Sequence, residues 1–524
     1  MGKPNWLKIK GYYHISSQIS SDWRDEKRII QKVTNSKYVE NYAFFPFLHV
    51  NLKERKYKKH PYNEKVRTHS YFKDGKWVRT EKIRPLHYAN HMDALIYSYY
   101  ASELQTLYEE ELNKTPGLSE CITAYRKISI DGNEKNKGTI HFADDAFKEI
   151  QKRTLENGEC AVLAFDIKSF FSSLNHQYLY DKWKMLIQKE ALPKDHLNVF
   201  NSATNFSFIY KNDLRKYAHS NGKKSEFDEK QLAKIRNVKG FNAFFESARE
   251  FRENVNNGSV RIYKNNFKDK KTKKMIGIPQ GLPISAILAN LYLLDFDSSI
   301  LNTLVNRKNC YYSRYSDDIV IVCDKNIIQD VEKVVIDEME KCFVSISKEK
   351  TEKFIFKFVN KKIVSHKIID NVETPNLPFI YLGFEFYGNK TLIKSSNLSK
   401  LYRRMIYSVK KKCERAKKIA ELNGTKPILF KRQLYKIYRN IDLDKANTKR
   451  KFKTFSKIET GEFRVISKEK TIPFRGNYFS YARRAAEIME EPAILNQIKG
   501  EKRVFNQAIQ KHLNTPIRSK IRIS

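Results

Sequence analysis

The chain is short of acid. Across 524 residues, 59 Asp and Glu face 99 Lys and Arg, a formal net charge of +40. Such an imbalance points to a polyanionic partner, most simply nucleic acid. Long apolar runs are also missing. The longest, Ile284 to Leu294, contains Asn290 and falls far short of the ~20 residues that span a bilayer, so no membrane partner is expected. Residues 1–30 carry Lys3, Lys8, Lys10 and Arg24 among polar residues, with no secretory apolar core. Cysteine is sparse: Cys121, Cys160, Cys310, Cys323, Cys342 and Cys413 form no close pair that reads as a zinc site or disulfide framework. No internal repeat or low-complexity linker interrupts the chain. At 41% hydrophobic and 13% aromatic residues, the composition is that of a folded protein rather than a disordered tail. The expectation is a soluble, cytoplasmic protein with room for about three domains.

The excess charge is uneven. Residues 401–524 hold 32 Lys and Arg against 11 Asp and Glu, so 21 of the 40 lie in under a quarter of the chain. Bases alternate there with aromatics, as in Tyr435-Lys436-Ile437-Tyr438-Arg439 and Tyr478-Phe479-Ser480-Tyr481-Ala482-Arg483-Arg484. Cations grip phosphates and rings stack on unpaired bases, a mixture suited to single-stranded or irregular nucleic acid. For any one of these tyrosines, ordinary packing under a solvated helix face is the simpler reading. Further basic runs lie at Lys53–Arg84 and Lys264–Lys274.

Hydrophobic spacing predicts helices over 91–112 and 142–156, and a polar helical stretch over 226–256. A buried helix is predicted from Pro283 to about 302. Cys160 to Phe165 is a short apolar run ending on Asp166, as a buried strand would. Tyr311 to Cys323 reads as two strands around Ser316-Asp317-Asp318, a hairpin with acids at its tip. Phe343–Ile355 and Phe379–Phe386 are strand-like, and from Leu398 the pattern is mostly helical. The fold class is therefore α+β, with a basic α-helical C-terminal part.

Acids at strand ends are commonly caps or turn formers. A sheet that brought Asp166 beside Asp317 would make them repel, unless a cation lay between them. Magnesium suits such a place, because it takes few carboxylates and leaves room for substrate phosphates. Two such ions can activate a 3′-hydroxyl and stabilise leaving pyrophosphate.

Phe165-Asp166-Ile167-Lys168-Ser169-Phe170-Phe171, Gly277-Ile278-Pro279-Gln280-Gly281-Leu282 and Tyr315-Ser316-Asp317-Asp318 resemble, in order, motifs A, B and C of reverse transcriptases. The resemblance implies a right-hand polymerase fold, with fingers and palm carrying an antiparallel sheet, followed by an α-helical thumb. It implies two Mg2+ ions held by Asp166, Asp317 and Asp318, with the backbone carbonyl of Ile167 as a further ligand. Phe171, beside Ser169 and Phe170 in the nucleotide pocket, resembles the steric gate against a 2′-hydroxyl; core packing is the competing reading. Gln280 resembles the glutamine that contacts the incoming dNTP, in a turn shaped by Pro279 and Gly281. Lys350 is a candidate general acid for pyrophosphate, Tyr381-Leu382-Gly383 resembles the primer grip, and Arg126 or Lys127 would meet the triphosphate. His176 reads as a structural cap rather than a catalyst.

The implied domains are an N-terminal basic extension (1–84), fingers and palm (85–397) with an inserted helical region at about 181–262, and a thumb and nucleic-acid-binding domain (398–524). Lys10-Gly11-Tyr12-Tyr13-His14 and His87-Tyr88-Ala89-Asn90-His91 resemble bacterial defence-associated reverse transcriptases of the abortive-infection and unknown-group class. That resemblance implies an RNA template, in particular a dedicated noncoding RNA, a DNA product and a role in antiphage defence. Protein priming and a homo-oligomer are open on the same ground. Three alternatives stay open: a group II intron-like or retroelement enzyme, a template-independent terminal nucleotidyltransferase, and a noncatalytic RNA-binding protein on a polymerase scaffold.

Overall fold

The structure is a computed structural model and describes residues 4–17, 19, 26–55, 58–130, 135–215, 226–439, 447–473 and 476–515. Lys3 and Arg24, residues 216–225 of the expected inserted region and the last nine residues of the C-terminal domain lie outside them.

A six-stranded antiparallel sheet forms the centre. Its spatial order is Tyr311–Tyr315, Asp318–Cys323, Glu159–Asp166, Glu352–Val359, Lys362–Ile369 and Val372–Pro375. Because strand side chains alternate between faces, the near-continuous apolar run Cys160–Phe165 feeds two cores at once. Ala161, Leu163, Phe165, Ile319, Ile321 and Cys323 pack with Leu288, Val331 and Val335 on one face. Cys160, Val162, Val320, Val322, Phe354 and Phe356 pack on the other, with Ile140 and Phe147 of helix Thr139–Asn157. Burial on both faces explains why these strands read as solid apolar runs rather than alternating ones.

The helix predicted over 91–112 is His91–Asn113, and the buried one from Pro283 is Ser285–Tyr292, Leu294–Ile300 and a π-helical turn to Asn306. Helix Ile328–Lys341 went unread, and the strand expected from Phe343 begins only at Glu352, after a 3-10 turn over Lys348–Lys350.

One domain boundary differs from the sequence reading. Strand Phe47–Arg55 pairs along its length with Glu81–Tyr88 and, in parallel, with Ser207–Tyr210. Residues 1–84 are therefore no appended extension: a boundary at 84 cuts a strand of a four-stranded sheet. The region 181–262 is helical as expected, with His176–Leu186, Lys194–Thr204, Glu229–Lys239 and Ala248–Asn256. It also returns a strand to that sheet and buries Trp183, Val199 and Phe200 in the main core.

C-terminal to the sheet, Phe379–Tyr381, Phe384–Phe386 and Thr391–Ile393 form a small meander. The 29-residue helix Ser395–Asn423 follows. Glu385 accepts hydrogen bonds from the Ser395 backbone N–H (2.9 Å) and hydroxyl (2.8 Å), which places a carboxylate at the positive end of the helix dipole. Leu401, Met405, Val409, Cys413, Ala416 and Ala420 line one buried stripe of this helix, and the first four share the second core with Phe505 and Ile509 of helix Glu501–Asn514. Beyond Leu398 the described residues are mostly helical, with one antiparallel hairpin that was not expected, Asn447–Lys457 with Phe463–Pro473. The Phe463 ring covers Gly240, where an added Cβ would lie 2.5 Å from it. Among the described residues no helix is long and apolar enough to cross a membrane.

Candidate active site

Strand Glu159–Asp166 ends on Asp166, and its neighbour starts on Asp318 directly opposite in register. Asp317 sits in the two-residue turn between Tyr315 and Asp318, made possible by Ser316 at a φ of 62°. The Ile167 N–H donates to the Asp317 carbonyl at 3.3 Å. Three carboxylates from adjacent strands thus stand at one lip of the sheet. Burial, then repulsion from Asp166, raises the Asp317 carboxyl above its ordinary range. Asp318 is pushed to about 6, first by withdrawal from water, then by Asp317 and Asp166.

Lys350 joins the site through the backbone. Lys168 N–H donates to the Ser345 carbonyl (2.9 Å) and Ser347 N–H to the Asp166 carbonyl (2.8 Å). These bonds anchor the turn over 348–350, and the Lys350 ammonium pairs with the Asp166 carboxylate.

The Gly277–Gly281 turn is locked against the segment following Asp166. Gly277 N–H donates to the Leu174 carbonyl (2.7 Å) and Ile278 N–H to the Phe171 carbonyl (2.8 Å). A Cβ on Gly277 would lie 2.7 Å from the Ser172 carbonyl oxygen, and one on Gly281 2.8 Å from that of His87; both glycines have positive φ. The imidazole of His176 is 2.8 Å from the Gly277 carbonyl, while the helix cap expected of it is supplied by Asn175, whose side chain accepts from the Tyr178 N–H. Pro279 is buried behind the turn and accepts the Ser285 hydroxyl (2.6 Å). The Gln280 carbonyl accepts from His87 N–H (2.8 Å), joining the turn to strand Glu81–Tyr88.

These elements enclose a cleft of about 730 Å³. Asp166, Ile167, Asp317 and Asp318 line it together with Ser169, Phe170, Phe171, Gln280, Gly281 and Lys350. Phe170 is buried, whereas Phe171 is half-buried and keeps part of its ring at the cleft. Of the expected primer-grip residues, Leu382 and Gly383 make a turn with φ of 43° and 94°, and Tyr381 is buried with its ring stacked on Phe379.

Arg126 is placed elsewhere than expected. Its side chain is 4% exposed, and its guanidinium pairs with Glu109 and donates to the Ile122 carbonyl (2.7 Å) and the Ser119 hydroxyl (2.8 Å). A fork so engaged within its own fold has no donor left for a triphosphate. Lys127 is exposed and does not line the cleft. Lys82 and Arg84 line it instead, with Tyr125, whose hydroxyl lies 3.2 Å from the Ser316 hydroxyl. Sequence reasoning missed Lys82 and Arg84 as site residues. Their spacing of two, which puts both on one face of a strand, was the signal.

Among the described residues no group of three or more His, Cys, Asp or Glu side chains is gathered closely enough to hold a metal ion by itself. Magnesium does not require such a cage, since it binds through one or two carboxylates and completes its shell with water and substrate phosphates. The hard oxygens of Asp166, Asp317 and Asp318, whose mutual repulsion a cation would relieve, fit it.

No curated protein matches the chain in sequence. Three telomerase structures resemble it at low scores. Apo telomerase from Candida tropicalis truncated from its C-terminal domain is 12% identical over 61% of this chain and 53% of that one, with a TM-score of 0.35. Telomerase from Candida albicans in complex with a TWJ fragment of telomeric RNA is 11% identical over 84% and 62%, TM-score 0.34. Apo telomerase from Candida tropicalis is 12% identical over 77% and 59%, TM-score 0.34. The chain thus spans between half and two thirds of these telomerase chains. The family described as reverse transcriptase (RNA-dependent DNA polymerase) matches residues 229–386. Asp166 lies before that segment and reaches it through the register with Asp318. With Gln280, Asp317, Asp318, Lys350 and Tyr381 all inside the match, the chain carries a reverse-transcriptase domain, the domain of RNA-directed DNA polymerases.

Proposed function

We propose that this protein extends DNA on an RNA template by phosphoryl transfer at the Asp166–Asp317–Asp318 lip. The observation that carries the reading is the pairing of Asp166 with Asp318 on neighbouring strands, with Asp317 one residue away at the turn. Asp166 and Asp317, supported by Asp318 and the Ile167 carbonyl, would hold two Mg2+ ions. When bound, these ions supply Lewis-acid stabilisation of the attacking and leaving oxygens. Lys82 and Arg84 line the same cleft and would take the triphosphate charge; Arg84 also pairs with Glu54 through one terminal guanidinium nitrogen (2.8 Å). Phe171 and Gln280 line the same cleft, where Phe171 would meet the sugar edge and Gln280 the incoming nucleotide. Lys350, an ammonium already at the carboxylates, is placed to donate a proton to departing pyrophosphate. Leu382-Gly383 would meet the primer end.

The finer reading is a cytoplasmic enzyme that copies a dedicated noncoding RNA in antiphage defence. The N-terminal resemblance supports it, and the residues that carry it are packed as one unit. The Tyr12 hydroxyl donates to the Ala89 carbonyl (2.7 Å), and the rings of His14 and His91 bond to the Tyr88 (2.9 Å) and Tyr12 (2.8 Å) carbonyls.

Primer extension on a primed RNA with all four dNTPs and Mg2+ tests the activity. Incorporation by the wild-type chain that disappears in Asp317→Ala is the expected result. Incorporation surviving Asp317→Ala refutes the site, and product that forms equally without RNA favours a terminal transferase.

A further inference from the structure

Tyr125 (φ 63°), Ser169 (φ 52°) and Ser316 (φ 62°) all hold a left-handed backbone around the carboxylate lip. A bulky side chain rarely adopts that conformation, and it persists only where the surroundings impose it. Around Tyr125 they do. Ile122 bridges to Arg314, and the Thr123 N–H (3.0 Å) and hydroxyl (3.1 Å) both donate to the Arg314 carbonyl. The Asn290 amide donates to the Ala124 carbonyl (3.0 Å). On the far side, Arg126 is anchored to Glu109 and the Ile122 carbonyl. Tyr125 is thus clamped to the hairpin that carries Asp317 and to helix Ser285–Tyr292, and Arg126 is part of the clamp.

The clamped ring is not packed away. Tyr125 is 48% exposed, more than a backbone alone contributes, and it lines the catalytic cleft. Its hydroxyl lies 3.2 Å from that of Ser316, so the ring runs alongside the turn that bears Asp317. Sheet order fixes the side. Strand Tyr311–Tyr315 is outermost, Asp318–Cys323 is next and Glu159–Asp166 is third. The Ile122–Arg314 bridge adds the Tyr125 segment to the outer edge, whereas Phe171 follows the third strand. Tyr125 and Phe171 therefore flank the carboxylates from opposite sides. The outer strand also meets the expected primer segment, because the Ser313 and Tyr381 hydroxyls lie 3.5 Å apart. In-line transfer sets the attacking and leaving oxygens on opposite sides of the reacting phosphorus. With the incoming sugar at Phe171, the Tyr125 side belongs to the attacking primer.

We propose that Tyr125 is a substrate-contacting residue whose ring packs on the 3′-terminal nucleotide of the primer, opposite Phe171 on the incoming one. The inference rests on the polymerase reading for the identity of the substrate, and it gives a role to a residue that reading leaves without one. Contact with an aromatic face tolerates any base, as a primer end of changing sequence requires.

Equilibrium binding in EDTA, where no incorporation takes place, tests it with the full chain. Two fluorescent duplexes of one sequence are compared, one with a recessed primer 3′ end and one closed by loops at both ends. Tyr125→Leu and Tyr125→Gly should weaken binding of the recessed duplex at least about fivefold, the lower bound for one base–aromatic contact. Neither should change affinity for the closed duplex, and Tyr125→Phe should bind both as wild type does. Tyr125→Gly should unfold close to the wild-type temperature, because glycine takes this backbone conformation without strain; if it does not fold, Tyr125→Leu carries the comparison. In Mg2+ with primer–template saturating, the KM for dNTP should stay at the wild-type value in every variant. Wild-type affinity of the Leu variant for the recessed duplex, or equal losses on both duplexes, overturns the contact. A Phe variant as weak as the Leu variant also overturns it, making Tyr125 a positioning residue that acts through the Ser316 hydroxyl. A raised KM for dNTP at unchanged affinity would move the ring to the incoming nucleotide. Failure of the polymerase reading shows separately, as a wild-type chain that incorporates nothing.

Discussion

Arg314 and Asp297 form a bidentate ion pair with neither side chain reaching water: Nε to Oδ1 at 2.7 Å and Nη2 to Oδ2 at 2.5 Å. The same guanidinium donates to the Ser316 carbonyl at 3.2 Å and the Asn290 side chain at 3.3 Å. The Tyr312 hydroxyl completes the shell of Asp297 at 2.5 Å. One buried charge pair therefore fixes the turn that presents Asp317 and Asp318. Removing one partner of such a pair strands the other charge, which costs about 3–5 kcal/mol. Arg314→Met and Asp297→Leu are each expected to lower the unfolding free energy measured in urea by that amount, with incorporation lost in the same step. A variant of either residue with an unshifted transition would show that the pair does not hold the turn.

Phe171 sits half-buried at the cleft with its backbone carbonyl fixed by Ile278. Because the backbone is held, trimming the ring opens space without moving Asp166. Phe171→Ala should reduce the preference for dNTP over rNTP by roughly tenfold or more, the scale of a steric contact worth ~1–3 kcal/mol. The ratio of kcat/KM for the two nucleotide types is the readout. An unchanged ratio with lowered stability would return Phe171 to the core.

What could be read in advance follows from how each feature is encoded. The palm strands are short, apolar and locally continuous, so Cys160–Asp166 and the Tyr311–Cys323 hairpin were legible from period and turn alone. Asp166 and Asp317 were legible because acids ending buried strands are conspicuous, although their partnership depends on a register across about 150 intervening residues. Lys82 and Arg84 were obscured because charge alternation on an edge-facing strand looks like a solvated basic run. Arg126 misled in the opposite way. An arginine beside a tyrosine in a loop looks available for phosphate, and only tertiary contact with Glu109 shows otherwise. The hairpin over 447–473 carries many lysines and few long apolar runs, so its strand character is set by pairing rather than by composition.

That contrast separates two kinds of arginine and lysine experimentally. Arg126→Gln removes the pairing with Glu109 and the donors to Ser119 and Ile122, so it should destabilise by about 2–4 kcal/mol. The KM for dNTP should stay unchanged in the protein that remains folded. Lys82→Gln and Arg84→Gln should do the reverse: KM rising about tenfold each, for a lost charge-assisted phosphate contact of ~1.5 kcal/mol, with little change in unfolding. Thermal unfolding and dNTP titrations on the same preparations distinguish the two. A raised KM in Arg126→Gln with intact stability would restore Arg126 to the triphosphate.

Asp93 provides a pH test away from the carboxylate lip. It is fully buried at the start of helix His91–Asn113, and its two oxygens accept the Tyr42 hydroxyl (2.8 Å) and the Phe45 N–H (3.1 Å). Burial raises it to about 7 despite those bonds. The folded carboxyl therefore holds its proton over a range where the unfolded one, near 4, has released it. Between about pH 4 and pH 7 the folded state binds more protons, so stability contributed by this group is complete below pH 4 and is lost as pH rises through 7. The full swing is bounded by about 4 kcal/mol. Asp93→Asn cannot ionise and should not share that loss. Its unfolding temperature relative to wild type should climb from pH 5 to about pH 7 and level off above that. A difference between the two proteins that stays flat over that range would mean Asp93 is ionised in the fold, with its charge held by Tyr42 and Phe45.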